Sequence, residues 1–188
     1  LAIDGSDVVD TGGTLRVPVG LASAGVVIEQ TFEHHHRPTE DLDEMGQGNC
    51  HTAFAFVAHR AVVDVDLELG LVKVVQIATA QDVGRALNPL SVVGQIEGGI
   101  AQGVGLAVME EIIQEGGHVR NASFTDYLLP TFLDMPPVVA SLVEEPDPMA
   151  PLGAKGVGEA PCISSTPAIV AAICDAIGRD LDRVPVRP

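Results

Sequence analysis

Tryptophan is absent and aromatic residues make up only 3% of the 188 residues. No core can therefore be organised around large stacked rings. Val, Ile, Leu and Ala must fill it, and a hydrophobic share of 46% supplies enough of them. That aliphatic habit suits strands and closely packed helices. Positive charge is equally scarce: 10 Lys and Arg stand against 26 Asp and Glu, a formal net charge of −16. Such a surface repels phosphate backbones and anionic bilayers, so neither nucleic acid nor membrane is expected as a partner. Solubility is the simplest meaning of the charge. Cysteine is limited to Cys50, Cys162 and Cys174, far apart and without a CxxC pair. An iron–sulfur cluster or structural zinc held by this chain itself is not expected, and no metal-ligand set is read from it. Reduced thiols in a cytoplasm are the expectation. No apolar run of spanning length and no signal peptide are read. A first residue of Leu1 rather than Met suggests a processed or truncated piece of a longer chain.

What is present is patterned. Residues 1–30 alternate loosely between apolar and polar, with turn chemistry at Thr11-Gly-Gly13, and short strands are expected there. Residues 33–51 are polar and read as a surface loop. The run His34-His35-His36 within it reads as solvated, because consecutive residues converge on one ion with difficulty. Residues 53–66 read as a long strand, with Phe54, Phe56, Ala58 and Val62 on one face and Ala55, Val57, Val63 and Val65 on the other. Asp66 to Gly70 makes the turn and Leu71 to Ala80 returns. The expectation is a hairpin buried largely on both faces.

After turn residues at Asp82–Arg85 and Asn88-Pro89, apolar residues recur at Val93, Ile96, Ile100, Val104 and Val108, which is helical spacing. This helix, expected near 91–111, carries five glycines between Gly94 and Gly105. Each costs roughly 1 kcal/mol against alanine in a helix interior, so close approach by a backbone or a flat ligand is implied. Both readings stand. Residues 112–119 suggest a hairpin broken at Gly116-Gly117. Asn121 to Pro130 reads as an apolar packed segment, 138–143 as a strand, and Leu181 to Pro188 as an extended surface tail.

The densest signal is Gly153-Ala-Lys-Gly-Val-Gly-Glu159. Its glycines hold one carboxylate just before a helix start. Ser164, Ser165 and Thr166 are candidate N-caps, Pro167 suits a first helical position, and Gly178 is a stop signal, so a second helix is expected over 166–177. A carboxylate near a positive helix end favours its ionised form, which a general base requires. The alternative is a glycine turn with an exposed Glu.

Three segments together resemble the molybdenum-binding subunit of the xanthine dehydrogenase and aldehyde oxidase family. They are Asp82-Val-Gly-Arg-Ala-Leu-Asn-Pro89 leading into Gly94-Gln-Ile-Glu-Gly-Gly and Gln102-Gly-Val-Gly105, then Asn121-Ala-Ser-Phe-Thr-Asp-Tyr-Leu-Leu-Pro130, then Gly153 to Glu159. The likeness covers about residues 50–188. Residues 37–66 look most like bacterial xanthine dehydrogenase subunits of purine catabolism. The resemblance implies that Glu159 lies beside molybdenum as the catalytic base and that Gln95 hydrogen-bonds the molybdopterin. It also implies that Lys155, Gly156, Val157 and Gly158 frame the metal centre through backbone groups. For Gln95 the alternative is a plain helix-surface amide, and for Lys155 a pairing with a surface carboxylate. The family's Gly-Glu-Pro-Pro is here Gly158-Glu-Ala-Pro161, one proline fewer. Met45-Gly-Gln-Gly48 looks like a further cofactor motif of the family but precedes a strand, so no role passes to Gln47.

The expected fold is α+β: mixed sheets, a buried β-hairpin and glycine-rich helices. Residues 1–50 form a partial N-terminal segment and surface loop, and residues 51–188 a C-terminal molybdopterin-binding domain. Both helices are expected to bring their N-terminal ends or faces to one site. The implied function is a molybdenum hydroxylase acting on xanthine or hypoxanthine. Electrons would pass through iron–sulfur clusters and FAD, in partner domains or subunits of an oligomeric complex, to NAD. An aldehyde- or carbon monoxide-oxidising relative, or an inactive scaffold or truncated domain, are the alternatives. The fragment alone is not expected to be catalytically competent.

Overall fold

The computed structural model describes residues 2–4, 6–9, 12, 16–22, 31 and 33–188. The chain divides into two units, Leu1–His35 and His36–Pro188. The division falls earlier than the boundary at residue 50 read from the sequence. In the first unit, β1 (Ala2–Asp4), β2 (Asp7–Val9) and β3 (Arg16–Pro18) form an antiparallel sheet followed by the short α1 (Val19–Ala22). Arg16 on β3 bonds Asp7 at 2.9 Å and also Asp4, so the sheet's exposed face carries its own charge pairs. Gly12 lies in a turn, whereas Thr11 and Gly13 fall outside the described residues.

The second unit is built on a three-stranded mixed sheet in the order β4-β5-β8. β4 (Val57–Asp66) and β5 (Leu71–Asp82) form the expected hairpin, and β8 (Val138–Val143) adds parallel to β5. The hairpin differs from expectation in two ways. Ala53 to Phe56 is not strand, and Phe54 and Phe56 are 58% and 78% exposed. The physical reason is the partner: β5 ends at Asp82, where Gly84 turns the chain away with φ +62°, so 53–55 have nothing to pair with. Nor is the hairpin buried on both faces. Val57, His59, Ala61, Val63 and Val65 are partly buried, while Ala58, Arg60, Asp64 and Asp66 are exposed. A register shift at Val62/Val63 re-aims the strand midway.

Two helices cover the inner face. α2 (Pro89–Val108) begins where Asn88 caps the Ser91 N–H at 3.1 Å and Pro89 occupies the first turn. It buries Ile96, Gly99, Ile100, Gly103, Val104 and Ala107, one face at helical spacing. α3 (Ala160–Ile177) contributes Ile169 and Ile173, and Val74 and Ile77 of β5 complete the core. Fully burying each such aliphatic side chain contributes roughly 1.5–3 kcal/mol. A small hairpin, β6 (Gln114–Glu115) and β7 (His118–Val119), turns at Gly116-Gly117 as expected. Residues 121–130 are not a packed segment: Asn121 is buried and Tyr127 half-buried, but Phe124, Leu128 and Leu129 are exposed. The tail 181–188 is irregular and runs along α2, with the Val186 N–H donating to the Ala107 carbonyl at 2.7 Å.

α3 begins at Ala160, earlier than expected, with Glu159 as N-cap and Pro161 in its first turn. Pro167 therefore lies inside the helix. Gly178, at φ 66°, ends it as expected. With this earlier start, α3 reaches 18 residues and is long and apolar enough to cross a membrane by length and composition. No such run was read from the sequence, because the serines and prolines broke it up. In this fold α3 packs against β4 and α2.

Candidate functional site

The two helices approach closely because of glycine. A Cβ on Gly99 would lie 2.7 Å from Pro161 Cβ, and one on Gly103 would lie 1.9 Å from Ser165 Oγ. Thr166 Oγ1 donates to the Gly103 carbonyl at 3.0 Å. Four residues along α2 correspond to four along α3, so the helices run in the same direction. Pro161, in the first turn of α3, faces Gly99 in the middle of α2, so the site receives the N-terminal end of α3, with its unpaired N–H groups and partial positive charge, and a face of α2.

Glu159 stands at the N-terminal end of α3. Its backbone is helical (φ −110°, ψ −24°) and its side chain does not fold back to cap α3. The exposed carboxylate has no hydrogen-bond partner among the described residues. Gln95, also exposed, lies nearly two turns inside α2, and its amide has no hydrogen-bond partner among the described residues. Its Oε1 is 3.8 Å from where a Cβ on Gly158 would stand, which places α2 and the glycine loop side by side. Gly94 and Gly98, one turn apart on α2, have nothing within 4 Å of an added Cβ. Gly99 and Gly103 thus admit α3 and Gly105 packs against Glu110 and Pro130, whereas Gly94 and Gly98, towards the start of α2, leave an open surface beside Gln95. The packing reading of the glycine-rich helix is seen at Gly99 and Gly103, and the open side is where the ligand reading would apply.

The loop before Glu159 is held from below. Arg85 N–H donates to the Gly153 carbonyl at 2.8 Å, and Lys155 N–H to the Val83 carbonyl at 3.0 Å. Gly84 permits this contact, since a Cβ there would sit 2.3 Å from the Gly153 oxygen. Leu152 enters the loop with a left-handed φ of 57°, a conformation that costs a non-glycine residue roughly 1–3 kcal/mol and needs surrounding structure to persist. The N–H groups of Gly156, Val157 and Gly158 donate to no acceptor among the described residues. The Val157 side chain packs against the core.

Lys155 differs from the other loop residues. Its Nζ donates to Asp82 Oδ2 at 2.7 Å, and the two side chains are 11% and 8% exposed. The partner is thus a buried carboxylate, not a surface one, and the ammonium points to the sheet and away from Gln95 and Glu159. Burial pushes the Asp82 carboxyl up, but hydrogen bonds from Lys155 and the Gly84 N–H outweigh it and hold the group below its ordinary value.

One polar network gives no sequence signal. His59 Nδ1 lies 2.7 Å from Ser164 Oγ on α3, and its Nε2 lies 3.4 Å from Gln81 Nε2. Gln81 also donates to Thr79 Oγ1, which donates to the Ala58 carbonyl. Accepting from Gln81 requires a bare Nε2, so Nδ1 carries the proton and donates to Ser164. Burial holds the His59 imidazole below its ordinary pKa. No group of three or more His, Cys, Asp and Glu suited to a metal ion occurs among the described residues.

The family model of the molybdopterin cofactor-binding domain matches residues 10–136. The chain belongs to this family. It is 41% identical over 130 residues to the 6-hydroxypseudooxynicotine dehydrogenase complex subunit gamma of Paenarthrobacter nicotinovorans, a match covering 67% of this chain and 16% of that protein. It is 37% identical to the xanthine dehydrogenase molybdenum-binding subunit of Escherichia coli O157:H7, covering 67% of this chain and 17% of that one. The crystal structure of the aldehyde oxidoreductase from Desulfovibrio desulfuricans superposes with a TM-score of 0.74 at 32% identity, over 80% of this chain and 16% of that one. The chain thus spans about one sixth of the length of these relatives. The three names denote three different substrates, so the likeness reaches the molybdopterin-binding family and stops short of xanthine.

The site's residues fit such a cofactor. Gly94 and Gly98 leave room for a flat ring system, Gln95 offers a donor and an acceptor to its edge, and the Gly156–Gly158 N–H groups are open donors.

Proposed function

We propose that this chain supplies the Glu159 side of the active site of a molybdenum hydroxylase. The carrying observation is the unengaged Glu159 carboxylate at the N-terminal end of α3, where the glycine loop lies beside Gln95 and the open glycine face of α2. When bound, the cofactor supplies the two-electron redox chemistry. Gln95 Nε2 and Oε1 orient its edge, Gly94 and Gly98 admit it, and the Gly156–Gly158 N–H groups donate to it. Glu159 accepts, at a carboxylate oxygen, the proton released by the water-derived nucleophile that attacks an electron-poor carbon of the substrate. The N-terminal end of α3 favours the ionised form this step needs.

A nitrogen heterocycle of the xanthine type is the proposed substrate, supported by likeness to a xanthine dehydrogenase subunit and to a dehydrogenase of a nicotine derivative. Iron–sulfur and FAD domains or subunits are the proposed electron carriers, in a complex working in the cytoplasm with NAD as acceptor. An aldehyde is the second reading, supported by the 80% coverage against an aldehyde oxidoreductase. The test is molybdenum content of the native complex, then NAD reduction with xanthine, a pyridine heterocycle and an aldehyde in turn. Bound molybdenum with xanthine turnover supports the proposal. Molybdenum with turnover of aldehyde alone selects the second reading. A folded complex without molybdenum overturns both and favours a scaffold.

A further inference from the structure

We propose that the buried Lys155–Asp82 ion pair is the positioning element for Glu159, fixing the upstream end of its loop to β5. This deepens the reading just given and rests on it for the catalytic consequence. The Glu159 carboxylate makes no contact of its own among the described residues, and its backbone carbonyl is held only from downstream, by the Cys162 N–H at 3.0 Å and Sγ at 3.1 Å. Its position is therefore inherited from the nearest fixed points on either side. Downstream, Pro161 is seated on Gly99, where a Cβ would come within 2.7 Å. Upstream, Lys155 is tied twice, by its N–H to the Val83 carbonyl at 3.0 Å and by its Nζ to Asp82 at 2.7 Å. Between these points lie Gly156 and Gly158, which have little backbone preference of their own. Val157 adds one apolar contact. Remove the upstream tie and two glycines let the segment swing.

The choice of residue types supports a directional role. A buried ion pair is weak evidence for stability, because apolar groups of similar volume often serve as well. What an ion pair adds is direction: the ammonium must meet Asp82 Oδ2, while Asp82 Oδ1 accepts from the Gly84 N–H at 3.0 Å. Asp82 thus locks both sides of the Gly84–Ala154 bridge at once. A reacting group displaced by about 1 Å can lose on the order of 100-fold in rate, so a clamp of this kind has a catalytic consequence.

The test uses the complete complex carrying this chain. The double variant Lys155→Met/Asp82→Leu removes both charges, and Lys155→Arg keeps the charge with a longer head. Four quantities are read: unfolding midpoint, molybdenum content, hydrogen exchange at the amides of Gly156 to Ala160, and kcat with KM. The expected result for the double variant is a midpoint and molybdenum content near wild type and faster exchange confined to that loop. Its kcat should fall by roughly 10- to 100-fold at an unchanged KM. Lys155→Arg should fold, bind molybdenum and show the same split in weaker form. Wild-type exchange and kcat in a folded double variant overturn the proposal. So does a double variant that fails to fold together with a Lys155→Arg protein of wild-type kcat, because the pair is then only structural. A wild-type complex without molybdenum sinks the functional reading instead, and the exchange data still decide whether the pair sets the loop.

Discussion

Replacing Gly103 with alanine puts a methyl carbon 1.9 Å from Ser165 Oγ, 2.9 Å from Ser165 Cβ and 3.3 Å from the Thr166 nitrogen. Non-bonded heavy atoms reach their optimum near 3.5–4.0 Å, so the contact cannot be absorbed in place. The hydroxyl can rotate away; the Cβ and the helix backbone behind it cannot. Ser165 is fully buried, which leaves separation of α2 from α3 as the response. Overpacking of this kind costs about 1–3 kcal/mol. Stretching the Thr166 hydrogen bond to the Gly103 carbonyl adds about 1 kcal/mol. Better helix propensity returns about 1 kcal/mol. The net expectation is a loss of about 1–3 kcal/mol. Gly98→Ala, on the same helix, meets nothing within 4 Å and should gain about 0.5–1 kcal/mol from propensity alone. Urea titration of both variants, at an unchanged m value, reads the difference. Equal effects of the two substitutions, in either direction, would refute the claim that Gly103 serves packing and Gly98 does not.

Gly84→Ala combines a φ of +62° with a Cβ 2.3 Å from the Gly153 oxygen, and should destabilise by about 2–4 kcal/mol in the same titration; a wild-type midpoint would contradict the loop geometry. His59 has a folded pKa below its ordinary value, so the unfolded chain binds the proton more readily. Its contribution is full above the ordinary histidine pKa of about 6.5 and is lost as pH falls from there through the depressed folded value. A thermal scan series from pH 7.5 to 5 should therefore show a slope that His59→Gln flattens, and an unaltered slope would sink the assignment. Gly98→Leu, which fills the open face, should leave a folded complex whose molybdenum content is well below wild type by elemental analysis. Full molybdenum content would place the cofactor elsewhere.

Much of this was legible where the signal is local. Gly178 ends α3 as read, because capping depends on a few adjacent residues, and α2 falls close to the expected 91–111, although Asn88-Pro89, read as turn chemistry, is its cap and first residue. The β4–β5 hairpin and β8 also follow from short-range pattern. The start of α3 was not legible, and the reason is specific. Ser164, Ser165 and Thr166 look like N-caps, yet each hydroxyl serves another partner: Ser164 meets His59, Ser165 packs on Gly103, and Thr166 bonds the Gly103 carbonyl. These contacts cross more than sixty residues of chain, so no local pattern could show them. The sorting of the glycines was hidden for the same reason, since five glycines at helical spacing look alike until α3 is placed. Lys155 read as part of the site frame because it lies between glycines; its buried partner Asp82 is 73 residues away. Glu159 stood out from its glycine loop before a helix start, whereas Gln95 was nameable only through resemblance, and the packing of α3 on α2 supplies the physical reason the glycine loop lies beside it.

The most direct measurement is turnover by the Glu159→Gln complex at measured molybdenum content. Glutamine keeps the shape and removes the base. The account predicts full molybdenum content with turnover reduced by roughly 100- to 10,000-fold. A folded, molybdenum-replete variant that turns over at the wild-type rate would contradict it.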